Sequence, residues 1–301
     1  MDISDKGAKL EARVSAVLIL GALATIAGEL DVRFSPIDPA QGDPLVVYVR
    51  APGHEGQKPV GAVEIFGLAA PLLPAEGPWL RAFIAVPLEA SSRSWPVRIT
   101  VGSAGTLTYV TVREKAFRTS RLRVSDRFTD KNRPLSLERR LKVEAEAWDA
   151  LFAPSPGPLR FDGELVWPVR GSTTSEFGVR RTYNGKLESV HYGLDLEGRI
   201  GDAVVAAQSG AVVMSAMRFN TGGTVVLDHG NGLFTAYFHL SRRTVKVGQV
   251  VRVGAPLGRV GATGRVTGPH LHLAAVIRMV ADGEPRPMYV DPERILELVP
   301  Q

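Results

Sequence analysis

Five of the six histidines in the chain fall between residues 191 and 272. HYGLDL sets His191 and Asp195 four apart, and HLHL sets His270 and His272 two apart. In FTAYFHL, His239 alternates with apolar Phe238 and Leu240. Along an extended strand, residues i, i+2 and i+4 share a face. His191, Gly193 and Asp195 should then point one way, with Tyr192, Leu194 and Leu196 turned to a core. Gly193 would leave room between the two polar groups. His270 and His272 likewise share a face, opposite Leu271 and Leu273. Imidazoles at alternate positions of buried strands are costly unless something binds them. A divalent metal does so. Two neutral imidazoles with one carboxylate suit zinc, and they leave a fourth position for water, as in a catalytic site. Either motif alone is a weak signal. Gathered on one glycine-rich β region with a further histidine between them, they predict a metal centre.

The elements that must carry these residues read as short strands. Residues 163–268 hold 18 of the 31 glycines. Strand candidates there are 203–217, 223–229, 233–240, 250–261 and 270–277, and His229-Gly230-Asn231-Gly232 is a hairpin turn signal. His229 is expected to be structural. Upstream, PLVVYVR (44–50), GAVEIFGL (61–68), RAFIAVPL (81–88), WPVRITV (95–101) and TLTYVTVR (106–113) are rich in β-branched and aromatic residues. Gly, Pro and Ser clusters separate them, as in a small antiparallel sandwich. That region offers no nucleophile–base pair or metal cluster, and His54 in PGHEGQ reads as a solvated loop residue. Between the two, residues 134–152 place Leu137, Leu141, Ala145 and Trp148 at helical spacing. Asn132 or Asp130 is available for capping. Pro154, Pro156, Gly157 and Pro158 end the helix. The expected fold is mainly β: an N-terminal antiparallel β-sandwich over 30–130, one linking helix and Pro-rich linker over 131–159, and a C-terminal glycine-rich antiparallel β domain over 160–301.

Composition agrees. With 301 residues, 45% hydrophobic and 22% charged, the chain is globular and long enough for two domains. A mean hydropathy of +0.03 excludes a polytopic membrane protein. The absence of cysteine excludes disulfides, thiolate zinc sites and cysteine nucleophiles together. The net charge of +5 favours an anionic partner such as nucleic acid, lipid or cell-wall polymer. Residues 113–142 carry eleven Lys/Arg against four Asp/Glu, a local +7, so the remainder sums to −2. This basic stretch lacks the aromatic interleaving of a single-strand nucleic-acid platform. Near the N-terminus, VSAVLILGALATIA (14–27) follows Lys6, Lys9 and Arg13. It is short for a spanning helix but fits an export signal or signal-anchor, so 1–29 is expected to be that segment.

Taken together, FGVRR, HYGLDLEG, GDAVVAAQSGAVV, LDHGNGLFTAYFHLS, VKVGQVV and GATGRVTGPHLHL resemble the lysostaphin-type (LytM-like) zinc endopeptidases, which cut peptides of bacterial peptidoglycan. The resemblance is dense over 160–291, and the upstream sandwich and helix look like the accessory region of envelope members. It implies that His191, Asp195 and His272 are zinc ligands and that His239 and His270 are unligated catalytic histidines. None of the five is substituted. It also puts Arg180, Arg181 and Tyr183 in an arginine-bearing stretch before the first motif, as candidates for contact with substrate. The family cuts either D-alanyl–diaminopimelate crosslinks or glycine bridges, and the domain order fits the former group better.

From these residues the expected mechanism is hydrolysis by zinc-activated water. No H-E-x-x-H occurs, so an unligated histidine must act as base. His270 is the expected base, and His239, if protonated, the oxyanion stabiliser, with the two roles interchangeable. The expected partners are a peptidoglycan peptide and an envelope regulatory protein, with no nucleic acid and with membrane contact only through the N-terminal segment. The expected location is the periplasm or cell envelope. The rival reading is a catalytically silent envelope scaffold that binds wall or activates another hydrolase. VKVGQVVRVGAPLGRVG also resembles the hairpins of lipoyl and biotinyl carriers, but Lys246 lacks the usual flanking residues.

Overall fold

The protein is described by a computed structural model covering residues 30–51, 61–153, 160 and 165–296. The expected signal or anchor segment, His54 and the Pro-rich stretch 154–159 lie outside the described residues. Among the described residues, no helix is long and apolar enough to cross a membrane.

The first strands are β1 (Asp31–Ser35), β2 (Pro44–Arg50), β3 (Gly61–Ile65), β4 (Leu68–Pro71), β5 (Leu73–Pro74), β6 (Trp79–Ala85), β7 (Ser94–Val101) and β8 (Ala104–Thr111). They form the expected antiparallel sandwich. One sheet has the order β1-β2-β6-β5, and the strands β4-β3-β7-β8 face it. Leu45, Val47, Val49 and Ile84 from the first sheet meet Val63, Val97, Ile99 and Val110 from the second. The alternating pattern that buries every second residue is legible along β7 and β8.

A linking segment follows, with β9 (Thr119–Leu122) and helix α1 (Leu135–Ala150). The helix forms where its spacing predicts, but Pro134 stands at its N-cap without a side-chain cap. The Asp130 carboxylate instead accepts from the Asn132 N–H at 2.8 Å.

The remaining strands are β10 (Thr173–Ser175), β11 (Arg180–Tyr183), β12 (Leu187–Val190), β13 (Leu194–Glu197), β14 (Ala203–Val205), β15 (Gly210–Arg218), β16 (Gly222–Asp228) and β17 (Leu233–Leu240). After them come β18 (Arg242–Arg243), β19 (Val250–Val251), β20 (Pro256–Arg259), β21 (His270–Ala281) and β22 (Glu284–Val290), then the short helix α2 (Pro292–Leu296). Two expected strands are each two. Residues 203–217 break between β14 and β15, where the backbone N–H of Ala206 and Ala207 go to Ala255 and to the Tyr237 hydroxyl. Residues 250–261 break at Gly254, whose φ is +74°. Ala206 and Ala207 at the first break are fully buried and Val253 and Ala255 at the second are partly so, so apolar composition alone does not mark either break.

The C-terminal sheet runs β19-β15-β16-β17-β21, and β21 also pairs with β13 and β22. It continues into the sandwich, because Val280 of β21 pairs with Ala69 of β4. Ala275, Ile277 and Met279 join the sandwich core. Alternate residues of β17 and β21 serve two cores. Tyr237, Leu271 and Leu273 pack with Leu227 on one face. Phe234, Ala236, Phe238, Ala274 and Val276 lie on the other, covered by Phe152 and Trp148 at the end of α1. Glu144 docks the same helix by accepting from the Phe219 N–H at 2.9 Å.

Candidate metal centre

Register brings the site together. Strand β13 lies antiparallel to β21 with Asp195 opposite His272, and β17 flanks β21 with Phe238 opposite His272. His272 shares its face with Ala274 and Val276, while Leu271 and Leu273 enter the opposite core, as the alternation predicts. His191 sits just before β13 instead of within it, so the single extended face expected for His191, Gly193 and Asp195 is not formed. Tyr192 correspondingly leaves the core and packs edge-on against Phe177 and tilted against Tyr289. Gly193 is nonetheless required. A Cβ there would strike the His272 imidazole and come within 2.6 Å of the Leu273 carbonyl.

Three donor atoms converge. Asp195 Oδ1 is 2.9 Å from His191 Nε2 and 2.9 Å from His272 Nδ1, and the two imidazole nitrogens are 3.0 Å apart. All three side chains are buried, with their residues less than a tenth exposed. Among the described residues, this trio is the only group of His, Cys, Asp or Glu whose donor atoms lie within 4.8 Å of one another. His191 Nδ1 donates to the Glu176 carbonyl at 2.7 Å. A neutral ring so held turns an unprotonated Nε2 inward. Burial alone would raise the Asp195 pKa, but the close contacts of its carboxylate with His191 and His272 overcome it and hold the carboxyl well below the usual range. Burial pushes His272 down to about 4, against the raising effect of Asp195. A carboxylate and two imidazoles crowded at this spacing have the chemistry to hold a cation. Donors on a tetrahedral zinc at about 2.0–2.1 Å stand about 3.3 Å apart, close to the observed separations.

Two further imidazoles border the trio. His270 Nε2 is 3.6 Å from Asp195 Oδ1, and its Nδ1 donates to the Gly268 carbonyl at 2.9 Å. His239 lies 5.0 Å from His270 and 5.9 Å from His272 between ring centroids. Simple alternation does not put it there. Phe238 and His239 together oppose the one residue Thr224, between the pairs Val225–Tyr237 and Gly223–Leu240. This is a β-bulge, and His239 takes the left-handed φ of +63°. The expected opposition of Phe238 and His239 is therefore lost. Phe238 stacks on His272 at 5.1 Å while His239 also reaches the site. His239 Nδ1 donates to the Thr263 carbonyl at 2.8 Å. Burial, with the neighbouring His272 and His270, pushes its pKa well below the ordinary value, which favours the neutral ring over the cationic form expected of an oxyanion stabiliser.

The substrate candidates separate by strand face. Arg181 and Tyr183 turn to the centre. Arg181 Nη2 bonds Asp195 Oδ2 at 2.6 Å and Ser175 Oγ at 2.7 Å, and its Nη1 is 3.5 Å from the Tyr183 hydroxyl. Arg180 alternates with them and is exposed, and it is not brought to the trio. Strand β11 is itself held from outside. It pairs parallel with β9, and the Asn184 side chain bonds both backbone groups of Val124, at 2.9 and 2.8 Å. His229 is structural, as expected: it is buried between the Ser209 carbonyl and the Thr235 hydroxyl, each at 2.8 Å. Sequence reasoning missed Thr263, Ser175 and Arg265. Only the proximity of residues 263 and 265 to His270 hinted at two of them.

An antiparallel sheet presenting a His-Asp-His trio with two free imidazoles beside it is the arrangement of a metallopeptidase domain. Residues 189–284 match Peptidase family M23, and the chain carries a LytM-type domain of that family. Peptidoglycan DD-endopeptidase ShyA of Vibrio cholerae is 42% identical over 120 residues, covering 40% of this chain and 27% of that protein. Cell division protein DipM of Caulobacter vibrioides is 36% identical over 135 residues, covering 44% of this chain and 21% of that protein. The match thus spans about a quarter of the length of these curated relatives. A Pseudomonas aeruginosa crystal structure assigned to peptidase M23 aligns over 86% of this chain and 94% of its own, with 26% identity and a TM-score of 0.60.

Proposed function

We propose that this chain is a zinc-dependent endopeptidase that hydrolyses peptide crosslinks of peptidoglycan in the cell envelope. The observation that carries the reading is the convergence of Asp195 Oδ1, His191 Nε2 and His272 Nδ1 to 3.0 Å or less, with two further imidazoles beside them. Relatives named as peptidoglycan endopeptidases support the substrate class.

His191, Asp195 and His272 would hold the ion. When bound, zinc supplies Lewis acidity that polarises a carbonyl and eases ionisation of water near neutral pH. The chain's own residues move the protons. His270 and His239 each give Nδ1–H to a backbone carbonyl, so each neutral ring offers Nε2 as an acceptor. His270, nearer Asp195, takes the proton of the attacking water. Oxygen bonds to the scissile carbonyl carbon, the C–N bond breaks, and the same nitrogen returns the proton to the leaving amine. His239 becomes a donor toward the oxyanion only after it has itself gained a proton. Arg181 holds the outer oxygen of Asp195, and Phe238 fixes the plane of His272 by stacking.

The test combines metal content with turnover. The purified chain should carry about one zinc per molecule and release crosslinked peptides from sacculi, a chelator should stop it, and added zinc should restore it. The silent-scaffold reading draws on one relative that is named as a cell division protein and not as a peptidase. Intact sacculi after incubation with the zinc-loaded chain would favour it.

A further inference from the structure

The loop 261–269 between β20 and β21 passes over the centre before entering at His270. Its Thr263 carbonyl binds His239. Arg265 on the same loop lays its guanidinium 4.5 Å from the ring centroid of Tyr183. The Tyr183 hydroxyl in turn touches Arg181, which holds Asp195. Contacts therefore run unbroken from Arg265 to the trio. Arg181 has a carboxylate partner, whereas no carboxylate pairs with Arg265 among the described residues. Arg133, half-buried nearby, adds a like charge, and its Nε goes to the Asp130 carbonyl. Burial is the largest influence lowering the Arg265 pKa, with Arg181 and Arg133 acting in the same direction. Arg265 and Arg181 thus both meet Tyr183, and Asp195, the carboxylate at this place, is paired with Arg181. A partly buried cation lacking a counter-charge is unfavourable, and an anionic ligand relieves that cost.

We propose that Arg265 is a specificity-determining residue that binds a free carboxylate of the peptide substrate. The inference rests on the peptidase reading above and extends it to the charge of the substrate. A guanidinium presents a planar fork that matches a carboxylate with two parallel N–H···O bonds. The cation–π contact with Tyr183 holds the guanidinium in place, so less freedom is lost on binding. The substrate class follows: a peptide carrying an ionised carboxylate close to the scissile amide. A glycine bridge, or a peptide amidated at that position, would leave Arg265 unanswered.

The experiment uses two synthetic crosslinked peptides, identical except that the carboxyl beside the scissile amide is free in one and a carboxamide in the other. Hydrolysis by the zinc-loaded full chain gives kcat/KM for each, and calorimetric binding to the metal-free chain gives Kd for each. The wild type should favour the acid about tenfold or more, the size of a charge-assisted hydrogen bond. Arg265→Gln should bring the acid/amide ratio close to one, chiefly through KM, and Arg265→Lys should retain part of the preference. The ratio is internal to each variant, so a general loss of folded protein does not shift it. An unchanged ratio in Arg265→Gln, or a wild type that binds acid and amide alike or binds neither, overturns the assignment. If neither peptide is hydrolysed the peptidase reading fails, while the binding ratio still decides the role of Arg265.

Discussion

Arg181 Nη2 stands 2.6 Å from Asp195 Oδ2, the carboxylate oxygen that the imidazoles of His191 and His272 leave free. The two side chains are about nine-tenths buried, so solvent does little to weaken the pair. One oxygen of Asp195 is thereby fixed from outside while the other faces the imidazoles. Arg181→Lys keeps the charge but loses the planar group whose Nη2 reaches both Asp195 and Ser175 while Nη1 meets Tyr183. It should lower zinc affinity about tenfold, the lower end for loss of an outer partner of a metal ligand. Competition with a chromophoric chelator measures this, and unaltered affinity would mean that Asp195 needs no clamp.

Gly193→Ala should be more damaging than its size suggests. The new methyl would enter the space of the His272 ring, with the Leu273 carbonyl blocking retreat. Zinc affinity should fall at least about a hundredfold, more than for loss of an outer partner, because a ligand itself is displaced. Circular dichroism should stay close to wild type, since the clash is confined to the site.

The two free imidazoles should separate binding from chemistry. His270→Ala and His239→Ala should keep zinc and lose about 10²–10⁴ in kcat, the usual range for a general acid–base group. His272→Ala should lose zinc and turnover together. A His270→Ala protein that digests sacculi at the wild-type rate would refute the proton-transfer assignment.

His229 should report on acid stability away from the centre. Its folded pKa is lowered below 6.5, first by burial. A lowered folded pKa gives stability that is fully present above the unfolded value near 6.5 and is lost as pH falls through that value toward the folded pKa. In urea unfolding of the metal-free chain, stability should therefore decline below pH 6.5. The decline should be shallower in His229→Gln, by up to about 1.4 kcal/mol per pH unit. Parallel profiles for the two proteins would show that His229 titrates alike in both states.

Helix α1 should stabilise the face that carries the site. Phe152 is fully buried and meets Phe234 at 5.1 Å and Trp148 at 5.5 Å. Trp148 in turn contacts Phe238, the residue stacked on His272. Phe152→Ala should cost about 3–5 kcal/mol in chemical denaturation. A chain begun near residue 155 would uncover the same apolar face, so its activity should be compared only after its stability is known.

Much of this arrangement is legible in the residues. Strands at 44–50 and 233–240 are read to the residue from β-branched and aromatic runs. The helix is located within one or two residues at each end. The four histidines and Asp195 that spacing singles out as polar groups on apolar strands are buried or nearly so, and all five meet at one place. Arg180 and Arg181 could not be told apart, because neighbours on a strand take opposite faces and only pairing with β12 and β9 decides which face is inward. His239 breaks the period-two rule because a bulge depends on the partner strand, here one residue shorter between the same two pairs.

The residue types, taken alone, determined the donor chemistry, the β character of the chain and the absence of thiol chemistry, since these depend on side-chain identity and local periodicity. Only the folded chain decided that Asp195 lies opposite His272, 77 positions away, and that Arg181 rather than Arg180 supports it. Such pairings are set by which strands lie side by side and in what register. Burial of two cores across the whole sheet selects that register, and no window of neighbouring residues contains it.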